Sequence, residues 1–143
     1  MSAHPALPPG AVEGPASGFN RHVGPIYNLP DAEDGALKRF AFAVAEKHMN
    51  AAGSVHGGML MGFMDVAMSR SARAVSGAPR CSTVSLSCDF AGPGRLGDLI
   101  EAQVRVVRAT RTMVFLVGEL RAGGRVLLTA NGLWKIAGMK AGT

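Results

Sequence analysis

His56 and Asp65 stand nine positions apart in the run Asn50-Ala-Ala-Gly53-Ser-Val-His56-Gly57-Gly58-Met-Leu-Met-Gly-Phe-Met-Asp65. A polar loop ends in His-Gly-Gly. An almost wholly apolar stretch follows, with a single carboxylate inside it. A helix start offers free backbone N–H groups and the positive end of a dipole. A carboxylate on an apolar helix is costly to bury without a partner or a task. Together these features suggest a site that grips a carbonyl oxygen and attacks the carbon beside it. Glycine at 57 lets the backbone approach a ligand with no Cβ in the way, and glycine at 58 permits close packing in the first turn. A fixed N–H donor stabilises charge as it develops on the oxygen. The carboxylate can accept a proton from water or attack the carbon itself, and both routes are open to Asp65.

Plainer readings stand beside these. Asp65 could be a structural acid paired with Arg70 or Arg73. His56 could simply cap the helix. Asn50 could be a turn residue. The Met-rich helix could be core packing rather than a ligand box. His4, His22 and His48 read as ordinary. Ser76, Ser82 and Ser85 lack the nucleophile-elbow pattern. No His, Cys and carboxylate cluster has metal-ligand spacing, so no metal is expected.

The elements that would position the site follow from periodicity. Residues 1–18 carry Pro5, Pro8, Pro9 and Pro15 among small residues and read as a flexible N-terminal arm outside the core. Residues 19–30, with Gly24-Pro25-Ile26-Tyr27, read as a short helix or turn packing on the body. Residues 37–48 alternate, with Phe40, Phe42 and Val44 on one face and Arg39 and Lys47 on the other, as in a half-buried strand. Residues 57 to about 75 form a helix that is apolar around most of its circumference and stops at Gly77-Ala78-Pro79. Four strands follow, over residues 81–90, 99–108, 112–120 and 126–136. In the first, Val84, Leu86, Cys88 and Phe90 share one face, with Thr83, Ser85, Ser87 and Asp89 on the other. Cys81 and Cys88 then fall on opposite faces and should not pair. Gly92-Pro93-Gly94 is a turn and Gly123-Gly124 a hairpin. The order is strand, long helix, then a four-stranded antiparallel meander. It implies an α+β fold whose sheet curls around one helix.

The chain has 143 residues, of which 48% are hydrophobic, enough for one domain with a real core. Charged residues make up 17%, low for a lone soluble domain, which hints at surface buried between subunits. The net charge of +5 is scattered, with no basic run, basic helix or zinc-finger spacing, so nucleic acid is disfavoured. A polyanionic small ligand is the sharper reading of that charge. There is no secretory signal and no apolar run long enough to span a bilayer, so the chain reads as cytoplasmic, with no membrane partner.

At these residues the chain resembles the hotdog-fold acyl-CoA thioesterases, in the phenylacetate-type branch of the 4-hydroxybenzoyl-CoA thioesterase-like superfamily. The resemblance rests on Asn50, Gly53, the His56-Gly57-Gly58 triplet, Asp65 and a hydroxyl residue on the next strand, with Gly-Pro-Ile-Tyr upstream. It covers roughly residues 20–137, within an expected hotdog domain of 19–138 and a C-terminal tail of 139–143. The resemblance implies a curved antiparallel sheet wrapped around one long apolar helix. It implies hydrolysis of an acyl- or aryl-CoA thioester to free acid and coenzyme A, with coenzyme A part of the substrate and no cofactor. Gly57 would give its N–H to the thioester carbonyl, with Asn50 and His56 beside it. Asp65 would be base or nucleophile, and Thr83 would orient the attacking water. Arg111 matches a basic position near the coenzyme A phosphates. One site would take Asn50, His56 and Gly57 from one subunit and Asp65 and Thr83 from its neighbour. The expected assembly is therefore a homodimer, and a homotetramer as a dimer of dimers. The alternative is a non-catalytic acyl-CoA-binding hotdog protein, which would not need Asp65. A hydratase of the same fold would rely on a differently spaced His and acid, absent here.

Overall fold

The computed structural model of the chain describes residues 4–32 and 35–138. The expected C-terminal tail, 139–143, lies outside the described residues.

Helix α2 (Gly57–Ser76) is the centre of the fold. His56 caps its start, and Gly77 ends it in the left-handed conformation at φ 72°, its N–H donating to the Arg73 carbonyl at 2.8 Å. Met59, Leu60, Phe63, Met64, Ala67, Met68, Ser71 and Ala72 are buried, recurring at helical spacing. Phe63, Met64 and Met68 are fully buried, and each such side chain contributes on the order of 1.5–3 kcal/mol.

The sheet that receives this face has β1 (Val12–Glu13), β2 (Tyr27–Leu29), β3 (Lys38–Ala43), β4 (Arg80–Phe90), β5 (Leu99–Ala109), β6 (Met113–Ala122) and β7 (Arg125–Ala137). All pairings are antiparallel, in the order β1-β2-β3-β5-β6-β7-β4. Phe40, Phe42, Ile100, Ala102, Val104, Val114, Leu116, Leu120, Leu128 and Trp134 meet the helix in one core. The buried Trp134 donates its Nε1–H to Ser69 Oγ on α2 at 2.8 Å. This is the hotdog arrangement.

The strands are ordered differently from a four-stranded meander. Of the four strands after α2, only β5, β6 and β7 follow one another; β4 lies beyond β7, and β3 flanks β5. Periodicity reports which face of a strand is wet, not which neighbour it takes. The expected strand over 37–48 ends at Ala43, and Glu46–His48 form a 3-10 turn. Residues 19–30 hold both a helix, α1 (Phe19–Val23), and β2. Within the N-terminal arm, β1 pairs with β2, and the Gly14 N–H donates to the Ile26 carbonyl at 2.9 Å.

One irregularity changes the faces of β4. Thr83 pairs with Trp134 but Ser85 pairs with Leu133, so Val84 is an unpaired bulge. Before the bulge Cys81 and Thr83 face the helix; after it Leu86, Cys88 and Phe90 do. The expected opposition of Thr83 to Leu86 and Phe90, and of Cys81 to Cys88, is therefore corrected. Both cysteines pack against the core and are free thiols. Burial and the neighbouring Asp89 raise the Cys88 pKa.

Candidate active site

The loop before α2 is held by short-range bonds. The Asn50 N–H donates to the Ser54 carbonyl at 2.7 Å, and Asn50 Oδ1 accepts from the N–H groups of Ala52 at 2.9 Å and Ser54 at 3.0 Å. Asn50 Nδ2 donates to Ser54 Oγ at 3.0 Å. Asn50 thus organises the turn, and Gly53 supplies its left-handed residue at φ 87°. The His56 N–H donates to the His48 carbonyl at 2.8 Å, which seats the helix start on the 3-10 turn.

His48 is buried and wired at both nitrogens. Nδ1 accepts from the Ala45 N–H at 2.9 Å, and Nε2 donates to the Val23 carbonyl at 2.6 Å. Burial lowers its pKa most; the Val23 carbonyl works the other way, and Lys47 adds to the lowering. It is a structural pin, distant in role from His56.

His56 Nδ1 accepts from the Gly58 N–H at 2.8 Å. A neutral ring with Nδ1 as acceptor carries its hydrogen on Nε2, so an exposed donor is turned outward beside the helix start. The Met59 and Leu60 N–H groups donate to the His56 carbonyl. Of the first-turn donors, the Gly57 N–H alone finds no acceptor among the described residues. A Cβ at Gly57 would come within 3.3 Å of the Phe90 ring, so Phe90 walls this donor. Phe90 was not singled out from sequence, although its place on the core face of β4 was.

The second cluster lies further along α2. Thr83 Oγ1 donates to Asp65 Oδ2 at 2.7 Å. Asp65 forms no ion pair among the described residues, so the structural pairing with Arg70 or Arg73 is not made. Arg70 instead donates to Asn28 Oδ1 and to the Ile26 and Pro15 carbonyls. Asp65 opens onto a groove of about 550 Å³ that it shares with Phe19, Asn20, Met61, Gly62, Val66 and Leu86. Phe19 and Gly62 were missed in the sequence; an unexplained glycine inside an apolar helix was the available signal.

Asn50, His56 and Gly57 therefore form one group, and Asp65 with Thr83 another. The two are not brought together within the chain. Eight residues of helix separate Gly57 from Asp65, about 12 Å at 1.5 Å per residue. A thioester carbonyl carbon cannot touch both. Arg111 sits exposed in the loop between β5 and β6. Through Val114, Trp134 and Thr83, paired in register, that loop lies toward the Thr83 end of the sheet. The far edge of β4, eleven residues long, has no strand partner among the described residues. No group of three or more His, Cys, Asp or Glu side chains that could hold a metal occurs among the described residues. No helix among them is long and apolar enough to cross a membrane.

Residues 52–129 match the thioesterase superfamily. A Pseudomonas aeruginosa protein, PA0474, whose name places it provisionally among the esterases, is 34% identical over 116 residues, spanning 80% of this chain and 84% of that one. The PaaI protein of the E. coli phenylacetic acid degradation operon superposes with a TM-score of 0.72 at 18% identity, over 83% of each chain. A thioesterase-named protein of Streptococcus pneumoniae, solved with coenzyme A, superposes with a TM-score of 0.71 at 17% identity, over 81% of this chain and 91% of that one. At these identities the two superpositions speak to the fold.

Proposed function

The chain belongs to the thioesterase superfamily and is a hydrolase, and from that premise we propose that it hydrolyses acyl- or aryl-CoA thioesters at a site shared by two copies of itself. The observation that carries this reading is the Thr83–Asp65 pair, an acid bonded to a hydroxyl at the wall of an apolar groove. Thr83 donates its hydrogen to Asp65 and keeps its lone pairs for a water hydrogen. Asp65 Oδ1 remains to take the proton of that same water. The water oxygen then attacks the thioester carbon, and negative charge develops on the carbonyl oxygen. The Gly57 N–H of the other copy receives that charge. Collapse expels coenzyme A as thiolate, which takes the proton back from Asp65. Direct attack by Asp65, giving an anhydride that water then cleaves, uses the same residues.

His56 Nε2–H holds the thioester end of the substrate, and Asn50 keeps the loop in shape for it. Arg111 takes the phosphates of coenzyme A, a contact its exposed guanidinium suits. The separation of the two groups along α2 and the unpaired edge of β4 both support a homodimer, because a long free strand edge is a template for pairing. A tetramer, as a dimer of dimers, is the further assembly that the resemblance to the hotdog thioesterases implies. Two unpaired cysteines fit a reducing compartment, in keeping with a cytoplasmic location.

The test is thiol release across a panel of acyl-CoA thioesters, by the native chain and by Asp65→Ala. Loss of a general base lowers kcat by about 10²- to 10⁴-fold, while calorimetric binding of coenzyme A stays within a few-fold. Undiminished hydrolysis by Asp65→Ala refutes the assignment. Binding without turnover by the native chain favours the non-catalytic alternative.

A further inference from the structure

Two glycines mark where the N-terminal segment is pressed onto the helix. A Cβ on Gly14 would stand 2.4 Å from the Arg70 guanidinium, and one on Gly62 would stand 2.9 Å from the Phe19 ring. Gly62 lies in the interior of α2, where glycine weakens a helix, so the close approach of Phe19 gives it a reason to be there. Arg70 is only 9% exposed, and its hydrogen bonds go to neutral oxygens rather than to a carboxylate. One of those oxygens is the Pro15 carbonyl, at 3.4 Å. With the β1–β2 pairing, this clamps the segment four residues before Phe19. Phe19 nevertheless remains 54% exposed, because its other side lines the groove beside Asp65. Besides Asp65, the groove is lined by Asn20, Met61, Gly62, Val66 and Leu86, so its wall is mostly apolar. It suits an acyl group better than the amide-rich arm of coenzyme A.

We propose that Phe19, clamped over Gly62, is the residue that selects the acyl group: its ring closes the groove beside Asp65 to long straight chains and admits compact or aryl acyl groups. This rests on the thioesterase reading. A chain extending past Phe19 would have to lift the ring from the bare backbone of α2. Removing the ring uncovers that backbone and opens a path between the segment and the helix.

The experiment compares kcat/KM for phenylacetyl-CoA and palmitoyl-CoA in the native protein, Phe19→Ala, Phe19→Leu, Gly62→Ala and the Phe19→Ala/Gly62→Ala pair. Thermal melts of each variant ensure that only folded protein is compared. Phe19→Ala should move the ratio at least tenfold toward palmitoyl-CoA, mainly through KM, and Phe19→Leu should do so by less. Gly62→Ala pushes the ring into the groove and should depress phenylacetyl-CoA turnover; in the Phe19→Ala background the same methyl should have little effect. An active, folded Phe19→Ala with an unmoved ratio overturns the role of Phe19 and leaves the thioesterase reading standing. So does a Gly62→Ala effect of equal size in both backgrounds. A native protein that cleaves no thioester sinks the reading, and the role of Phe19 with it.

Discussion

The loop that opens α2 and the middle of α2 each carry half of the proposed chemistry, yet they are built in opposite ways. Asn50, His56 and Gly57 lie within eight consecutive residues and are positioned by bonds of short sequence range. Asp65 and Thr83 are 18 residues apart, and meet only because a strand packs along a helix. The first half is a matter of local backbone geometry. The second depends on the whole fold being in register. An oxyanion donor must be rigid, and a turn closed on itself provides that. A proton acceptor needs a neighbour that also holds water, which a strand running past a helix supplies.

The most severe way to break this comparison is to delete the donor without touching the helix. Gly57→Pro removes the N–H at the first helical position, where proline is tolerated. His56 already has φ −59° and ψ 133°, the extended conformation a following proline demands. The expected loss is on the order of 10²-fold in kcat, with a modest fall in melting temperature as the Phe90 ring gives way to the new Cβ; Gly57→Ala, which keeps the N–H and adds the same Cβ, separates the two effects. The same variant tests whether the halves come from different copies. Mixing inactive Gly57→Pro with inactive Asp65→Ala, after dissociation and reassociation, leaves one intact site in every mixed dimer. Random pairing in a twofold dimer then restores roughly a quarter of native activity. If no activity returns in dimers shown to have exchanged subunits, the two halves act within one chain.

A smaller effect sharpens the second half. Thr83→Val keeps the shape and removes the hydroxyl, at a cost of roughly tenfold in kcat, about one hydrogen bond to a charged group. Thr83→Ser should recover most of it. Equal activity of the valine and serine variants would remove the hydroxyl from the account of water orientation.

The mildest test returns to the first half, through its support. The His48 pKa is lowered in the folded chain, so the unfolded chain binds the proton more readily. That contribution to stability is present above the ordinary imidazole value of about 6.5 and fades as pH falls toward the lower folded value. Protonation would also deprive the Ala45 N–H of its acceptor, and the His48 carbonyl carries the His56 N–H. Melting temperature should therefore decline more steeply between pH 6.5 and 5 in the native protein than in His48→Gln. Parallel curves would assign the decline to other groups.

The contrast also explains what could be read in advance. The helix was legible from Gly57 almost to its last residue, because its apolar spacing and its Gly77 stop are local signals. The Gly123-Gly124 hairpin was legible for the same reason, with Ala122 paired to Arg125. The place of β4 beyond β7 was not, since no periodicity names a strand's neighbour. Strict alternation puts Thr83 on the wrong face because it assumes an unbroken ladder, and Val84 breaks it. The Asp65–Thr83 contact thus lies beyond pattern counting, although residue type and spacing mark both residues. Asn50 shows the reverse: its position was legible, but its side chain serves the turn.

The bulge at Val84 has a consequence for protein engineering. Because that extra residue resets the phase of the strand, the segment from Arg80 to Thr83 and the segment from Ser85 to Phe90 run in different frames. Deleting Val84 would join the two frames into one regular ladder, with Thr83–Trp134 followed directly by Ser85–Leu133, and would keep Thr83, Leu86 and Phe90 on the inner face. The one-residue deletion this cleft tolerates is therefore at Val84 itself, whereas one at Ser87 would put Thr83 and Phe90 on opposite faces and disable one wall.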